Sequence, residues 1–510
     1  GVVNPALDID DAVRSIVIES HAPIPLHQGD TRPARIVART GTVGTLPGSQ
    51  ASLVFDIPKQ TRVSAGQDVR NVRLQVQHVD KDDISVIEAG GSVLFPTERS
   101  LERGILTASA GEQRRFEIAG PGQLYVIAGQ DVDLGTSNGI ISIGDRKNPA
   151  LPDGGADITV MAGQKPGPDY EAFIQRYLVD SDAYHEQLAR YLDELDAAGT
   201  DVATFRALPR AQQRKFIFEV LFNEQRETGV AAAESKDYER GFTAIKTLFP
   251  AENYVGDVKS FLSKIYTTDG GNISLVVPGG LVNAGVASAV GVNKSADELG
   301  VAVTRDGDIN AFVHGDFLVN QSRVFALDGG DILIWSSTGD IDAGKGAKTA
   351  LSIPSPRTIP DPNGSGNLIT EFPPAISGSG IRAAVSTPGR DPGEVTLVAP
   401  AGVVNAGDAG IGSAGNLTIA ATAVLGADNI QVGGAAIGVP TDTGGLGAGL
   451  AGVGDIAATA GKLTEDVARG LAEQKQATEG LLSVEVLGFG EGEDGGGIVN
   501  LRKRKQSNNT

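Results

Sequence analysis

The stretch Gly271-Asn272-Ile273-Ser274-Leu275-Val276-Val277-Pro278-Gly279-Gly280-Leu281-Val282-Asn283-Ala284-Gly285 has an internal copy. The copy is Gly393-Glu394-Val395-Thr396-Leu397-Val398-Ala399-Pro400-Ala401-Gly402-Val403-Val404-Asn405-Ala406-Gly407, aligned without a gap. Within the pair, Ile273/Leu275/Val277 and Val395/Leu397/Ala399 alternate with their neighbours, the period of two that marks a strand. Gly and Asn punctuate each strand, as corners that need positive φ would require.

Working outward, shorter repeats share this grammar. Ala65-Gly66-Gln67-Asp68-Val69 recurs unchanged as Ala128-Gly129-Gln130-Asp131-Val132, and the Ala-Gly step is also met at Ala89-Gly90 and Ala110-Gly111. Gly307-Asp308-Ile309 returns as Gly330-Asp331-Ile332, and Gly393-Glu394-Val395 as Gly415-Asn416-Leu417. A period near 20 residues with short alternating strands predicts coils that cannot bury their inner faces alone and must stack. The Leu-x-x-Leu-x-Leu frame of leucine-rich repeats is missing, as are the roughly 40-residue aromatic-signed blades of a propeller. The expected fold is therefore mainly β, a right-handed parallel β-helix with an inserted α-helical subdomain and a flexible C-terminal tail.

Boundaries follow from where the pattern breaks. Residues 1–166 read as the N-terminal part of the β-helix, and 257–438 as its C-terminal part. Between them, 167–256 turn helical: Tyr170, Phe173, Ile174 and Tyr177 recur at helical spacing, as do Tyr184, Leu188, Tyr191 and Leu192. The aromatic residues gathered there predict a small core of the insert's own. The Pro-rich stretch 353–374 reads as a loop leaving the β-helix. Residues 439–462 are a Gly/Ala-rich linker. Residues 463–510 read as a helix (464–477), a short strand (483–490) and a basic tail.

Composition fits a thin repetitive core. Gly is 68 of 510 residues, about twice the usual share of roughly 7%, while aromatics are 5% and hydrophobic residues 40%. The apolar share excludes wholesale disorder, and the absence of a three-residue Gly period excludes collagen. Lys and Arg number 43 against 63 Asp and Glu, a net charge of −20. A nucleic acid or an anionic lipid surface would be repelled overall. There is no Cys, which removes disulfides, thiolate metal sites and Cys nucleophiles together and suits a chain exported unfolded across an oxidising compartment. No run approaches the ~18 apolar residues of a membrane span. Gly1-Val2-Val3-Asn4 opens without Met, a basic start or an apolar stretch. The expectation is a chain that begins inside a longer precursor, with its targeting information upstream.

Several segments together resemble a known family. They are Gly120-Pro121-Gly122-Gln123-Leu124 with Asp133-Leu134-Gly135, the aromatic insert ending Leu248-Phe249-Pro250, and Gly330-Asp331-Ile332-Leu333-Ile334-Trp335-Ser336-Ser337. Gly339-Asp340-Ile341-Asp342-Ala343-Gly344 and Val484-Glu485-Val486-Leu487-Gly488 complete the set. The chain is similar to the C-terminal region of filamentous-haemagglutinin-like exoproteins, large bacterial adhesins exported by two-partner secretion. The Trp335 segment is the most specific part. The resemblance implies a secreted or cell-surface location at the outer membrane, an outer-membrane secretion barrel as partner, and a role in adhesion or biofilm. The family's secretion domain carries an Asn-Pro-x-Gly type motif, of which Asn4-Pro5-Ala6-Leu7 is only a partial echo, so that domain is expected to be missing.

Candidate chemistry is sparse. Asp308, Asp331 and Asp340 each follow Gly and could bind Ca²⁺ or serve as acid and base in a polysaccharide-degrading β-helix. In other copies the same position is Asn272 or Glu394, which favours an Asx-type corner instead. The five His residues, His21, His27, His78, His185 and His314, show no metal-ligand spacing, and Gly378-Ser379-Gly380 is turn matter, not a nucleophile elbow. Trp335, the lone Trp, is either a sugar-stacking platform or packing. The insert is either a recognition surface or a brace on the solenoid.

No catalytic, cofactor-binding or metal-binding residue is therefore assigned, and no cofactor is expected. The expected function is a non-enzymatic adhesin, a rigid β-helical shaft for attachment to host, surface or neighbouring cells through a glycan or protein receptor. Two alternatives stand beside it: a fibre subunit that self-associates end to end, and a β-helix polysaccharide-degrading enzyme.

Overall fold

The computed structural model describes residues 26–96, 114–286 and 298–440 together with Lys294, apart from a few single positions and parts of 347–375. The 464–477 helix, the 483–490 strand, the basic tail, nearly all of the Gly/Ala linker and the Asn4-Pro5 echo lie outside the described residues. Within them the chain is mainly β and winds as a parallel β-helix with three walls. The first wall runs from Ala34–Ala38 through Gln123–Ala128, Ile273–Val277 and Ile332–Ser336 to Ala436–Ile437. A second wall of two-residue strands such as Val132–Asp133 and Ile341–Asp342 joins it in one 19-stranded sheet. The third wall is a separate 10-stranded sheet, from Leu53–Ile57 to Ile430–Val432.

Alternation places one face of every first-wall strand inside. In register, Val63, Ile87, Val126, Val160, Leu275, Ala311, Ile334, Leu397 and Ile419 stack one above another. All are fully buried. Each coil alone would expose this face to water, and stacking removes it at about 1.5–3 kcal/mol per large side chain.

Positive φ accounts for many of the corner glycines, Gly271, Gly344 and Gly407 among them, and close packing of the coils accounts for others. Gly66, Gly90 and Gly129 stack at one corner, and a Cβ on Gly90 or Gly129 would lie 2.4 Å from the carbonyl oxygen of the glycine one coil below. Gly330 and Gly393 repeat the arrangement, at 1.9 Å from the Gly307 oxygen and 2.0 Å from the Gly330 oxygen. Gly90, Gly129, Gly330 and Gly393 are absent from the positive-φ glycines. Close approach of neighbouring coils excludes a side chain there, whatever the dihedral angles.

Coil lengths are irregular. Ala89 pairs directly with Ala128, and Ala110-Gly111 lies outside the described residues. The Pro-rich stretch is not a plain loop. Leu351–Ser352 pairs antiparallel with Ile376–Ser377, and Arg357–Pro360 with Leu368–Glu371, so its described residues form two short antiparallel strand pairs. Proline tolerates such an edge because it needs no ladder donor.

Candidate functional site at the seam between the insert and the solenoid

The helices fall between strands Asp157–Met161 and Val258–Lys259. They begin with Tyr170–Ile174, which Asp169 caps by accepting the Ala172 N–H at 2.9 Å. His185–Glu194 and Val202–Ala207 follow, then a 26-residue helix, Arg210–Ser235, and finally Glu239–Leu248. These helices do not keep a core to themselves. Phe173, Leu188, Phe216, Leu221 and Leu248 form one apolar cluster with Ile127, Met161, Val276, Phe312, Trp335 and Val398 of the first wall. Those wall residues share one outward column in register, which explains why Ile332-Leu333-Ile334-Trp335 is apolar throughout rather than alternating.

Trp335 is fully buried in this seam. Its indole N–H donates to Ser337 Oγ at 3.1 Å, and Phe242 and Tyr238 meet it edge-on at 5.5 and 6.4 Å. It is a packing residue, with no face free for a sugar. Two helix glycines permit the contact. A Cβ on Gly241 would lie 2.4 Å from Trp335 Cη2, and one on Gly229 would lie 2.5 Å from Val398 Cγ2.

The long helix lies across the coils. Near its start Ala211 O accepts the Tyr125 hydroxyl at 3.0 Å, and after its end Lys236 Nζ donates to Ala421 O at 3.2 Å. A 26-residue helix is about 39 Å long, enough to cross the strands stacked between Tyr125 and Ala421 at about 4.8 Å each. Coils before and after the insert in sequence are thus held by one rod.

Partway along, the seam turns polar. In the column that begins at Tyr125, the next three residues in register are Thr159, Ser274 and Asn310. They floor a cleft of about 330 Å³, together with Gln123, Asp157, Asn272 and Asp308 at the strand starts. The long helix roofs it with Lys215, Phe218, Glu219, Phe222, Asn223 and Arg226. Lys215 Nζ sits 3.4 Å from Asp157 Oδ2, and Arg226 donates to Asn310 Oδ1 at 3.2 Å. Burial pushes the Glu219 carboxyl up to about 7, with Lys215 opposing. A neighbouring cleft of about 320 Å³ shares the lining residues Gln123 and Lys215 and is otherwise lined by Lys81, Asp82 and Tyr191 among others. Sequence reading missed this cleft, since Thr159, Ser274 and Asn310 look like ordinary outward positions and lie far apart in the chain.

The Gly-Asp corners do not join it as a catalytic group. Asp308 Oδ1 accepts the Asp331 N–H at 2.9 Å, Asp331 Oδ1 accepts the Glu394 N–H at 2.8 Å, and Asp340 Oδ1 accepts the Val403 N–H at 2.7 Å. The ladder continues below through Asp157 to Asn272 N and Asn272 to Asp308 N, at 2.8 and 2.7 Å. Each side chain binds the next coil rather than closing its own turn, and Asn or Asp serves equally because only an acceptor oxygen is used. Burial raises the Asp308 carboxyl despite that bond.

Among the described residues, Asp145, Asp153 and Asp269 bring ligand oxygens within 4.8 Å of one another. Burial and the neighbouring Asp269 push Asp145 up to about 6. Arg305 already pairs with Asp269. These are the residues that could approach a cation, although the guanidinium occupies part of that charge.

His78 is fully buried, its ring nitrogens 2.7 Å from Pro121 O and 2.8 Å from Ser85 Oγ. It is a corner residue and takes no part in the cleft. His185 and His314 are exposed.

Neither a curated protein nor a solved structure matches this chain. Residues 329–441, the coils from the Trp335 strand onward, match the model of a family described as filamentous haemagglutinin family outer membrane protein. That description agrees with the likeness read from Gly330–Ser337 and Gly339–Gly344 and with a secreted or cell-surface location at the outer membrane.

Proposed function

We propose that the chain is the β-helical shaft of a filamentous-haemagglutinin-type adhesin, non-enzymatic, exported through an outer-membrane barrel and mediating attachment to host, surface or neighbouring cells. The observation that carries this reading is the unbroken parallel stacking of the first wall from Ala34–Ala38 to Ala436–Ile437, braced lengthwise by the Arg210–Ser235 helix. Every coil is tied to the next by backbone and by corner side chains, an arrangement that resists bending and extension. The engagement of Asp308, Asp331 and Asp340 in backbone contacts speaks against a catalytic carboxylate cluster along the corners.

The test is attachment. Beads coated with the purified chain are offered to epithelial cells, to a bacterial lawn and to bare plastic, with albumin-coated beads as reference. Several-fold more retention than the reference on at least one surface is expected. Equal retention on all three would overturn the adhesive role, and continuous filaments under the electron microscope would favour a fibre subunit.

A further inference from the structure

The polar cleft is not needed for docking the insert. On the same strands, one outward column further along, Ile127, Met161, Val276, Phe312 and Trp335 make a wholly apolar contact. A brace alone would continue that pattern, because half-burying hydroxyls and carboxyls under a helix costs free energy unless they find partners. Among the described residues, the side chains of Thr159, Ser274 and Glu219 make no hydrogen bond or ion pair, yet all three line the cleft. From the groups lining this cleft, we propose that it binds a linear, uncharged oligosaccharide.

Four features select that class. The cleft, at about 330 Å³, lies within the range of ligand sites, roughly 300–1,000 Å³. Its free groups are a hydroxyl pair and a carboxyl, able both to donate and to accept, as a polyol requires. The floor residues recur at the strand spacing of about 4.8 Å, comparable to one pyranose ring, and a neighbouring cleft shares Gln123 and Lys215 with this one. Phe218 and Phe222 supply the apolar flank. Charge disfavours acidic glycans: Asp157, Asp308 and Glu219 line the cleft against two cations, Lys215 and Arg226, and Lys215 is already paired with Asp157.

This assignment concerns the cleft and stands apart from the attachment role. It is tested on the full 510-residue chain by calorimetry with cellohexaose, chitohexaose, maltohexaose and a heparin hexasaccharide. At least one neutral hexasaccharide is expected to bind with Kd below about 1 mM, with no heat from heparin. Glu219→Ala should weaken binding about tenfold, and Ser274→Phe, which fills the floor, should abolish it, with circular dichroism confirming that both variants fold. Hydrogen exchange on the wild-type chain supplies a readout that needs no variant, and protection is expected in 215–226 and in the floor segments 123–125, 157–159, 272–274 and 308–310. Silence across the neutral panel, equal or tighter heparin binding, or protection elsewhere would overturn the proposal.

Discussion

His78 shows how one side chain fixes a corner. Its depressed pKa, about 4, follows from burial, which disfavours the imidazolium, with the hydrogen bond to Pro121 O opposing. The neutral ring donates from Nδ1 to Pro121 O and accepts the Ser85 hydroxyl at Nε2, while Ser85 Oγ accepts the Thr61 N–H at 3.0 Å. Gly120 and Gly122, at φ 81° and 90°, turn the Pro121 carbonyl toward the ring. Because the folded pKa lies below the ordinary value near 6.5, this network stabilises the fold fully above pH 6.5. Its contribution is lost as pH falls through 4, on the order of 3 kcal/mol in all. Urea midpoints measured from pH 7.5 to 4 should fall steeply for the wild type. They should fall less for His78→Gln, whose neutral-pH midpoint starts lower. Parallel curves would show that the ring is not the group that titrates.

At the scale of elements, the corner ladder and the helix glycines make separate predictions. Asp331 uses one oxygen to hold the next coil, so Asp331→Asn should leave the denaturation midpoint nearly unchanged, while Asp331→Ala should cost about 1–2 kcal/mol. Equal losses for both would show that charge, not the acceptor, matters. Gly241→Ala should cost about 1–3 kcal/mol, because the buried Trp335 ring cannot retreat, and the emission of this single Trp reports any displacement. The strands themselves were legible: Ile273/Leu275/Val277 alternate because one face is inside. The helices were legible from Tyr184, Leu188 and Tyr191. The register was not, since 115 residues separate paired Ile158 and Ile273 and nothing local says which coil follows an excursion. The seam was only half legible. Leu333 and Trp335 break the alternation, a sign of burial on both faces, but Thr159, Ser274 and Asn310 carry no mark of the helix above them.

At the scale of the whole molecule, the insert and the solenoid are one cooperative body, because a single apolar cluster is shared between them. The helices lack a core that closes without the wall, and the wall from Ile127 to Val398 presents an apolar stripe that only the helices cover. Removing the insert and joining 166 to 257 through a short Gly/Ser linker would therefore leave the inner stack intact while exposing Met161, Phe312 and Trp335 together. Such a contiguous patch marks an aggregation site. The shortened chain should keep its β-type circular dichroism, bind a hydrophobic dye strongly and self-associate in size exclusion, whereas the intact chain should do neither of the last two. A shortened chain that stays monodisperse and dye-silent would mean that the wall repacks without its cover. The lengthwise brace would then contribute little to the stiffness of the shaft.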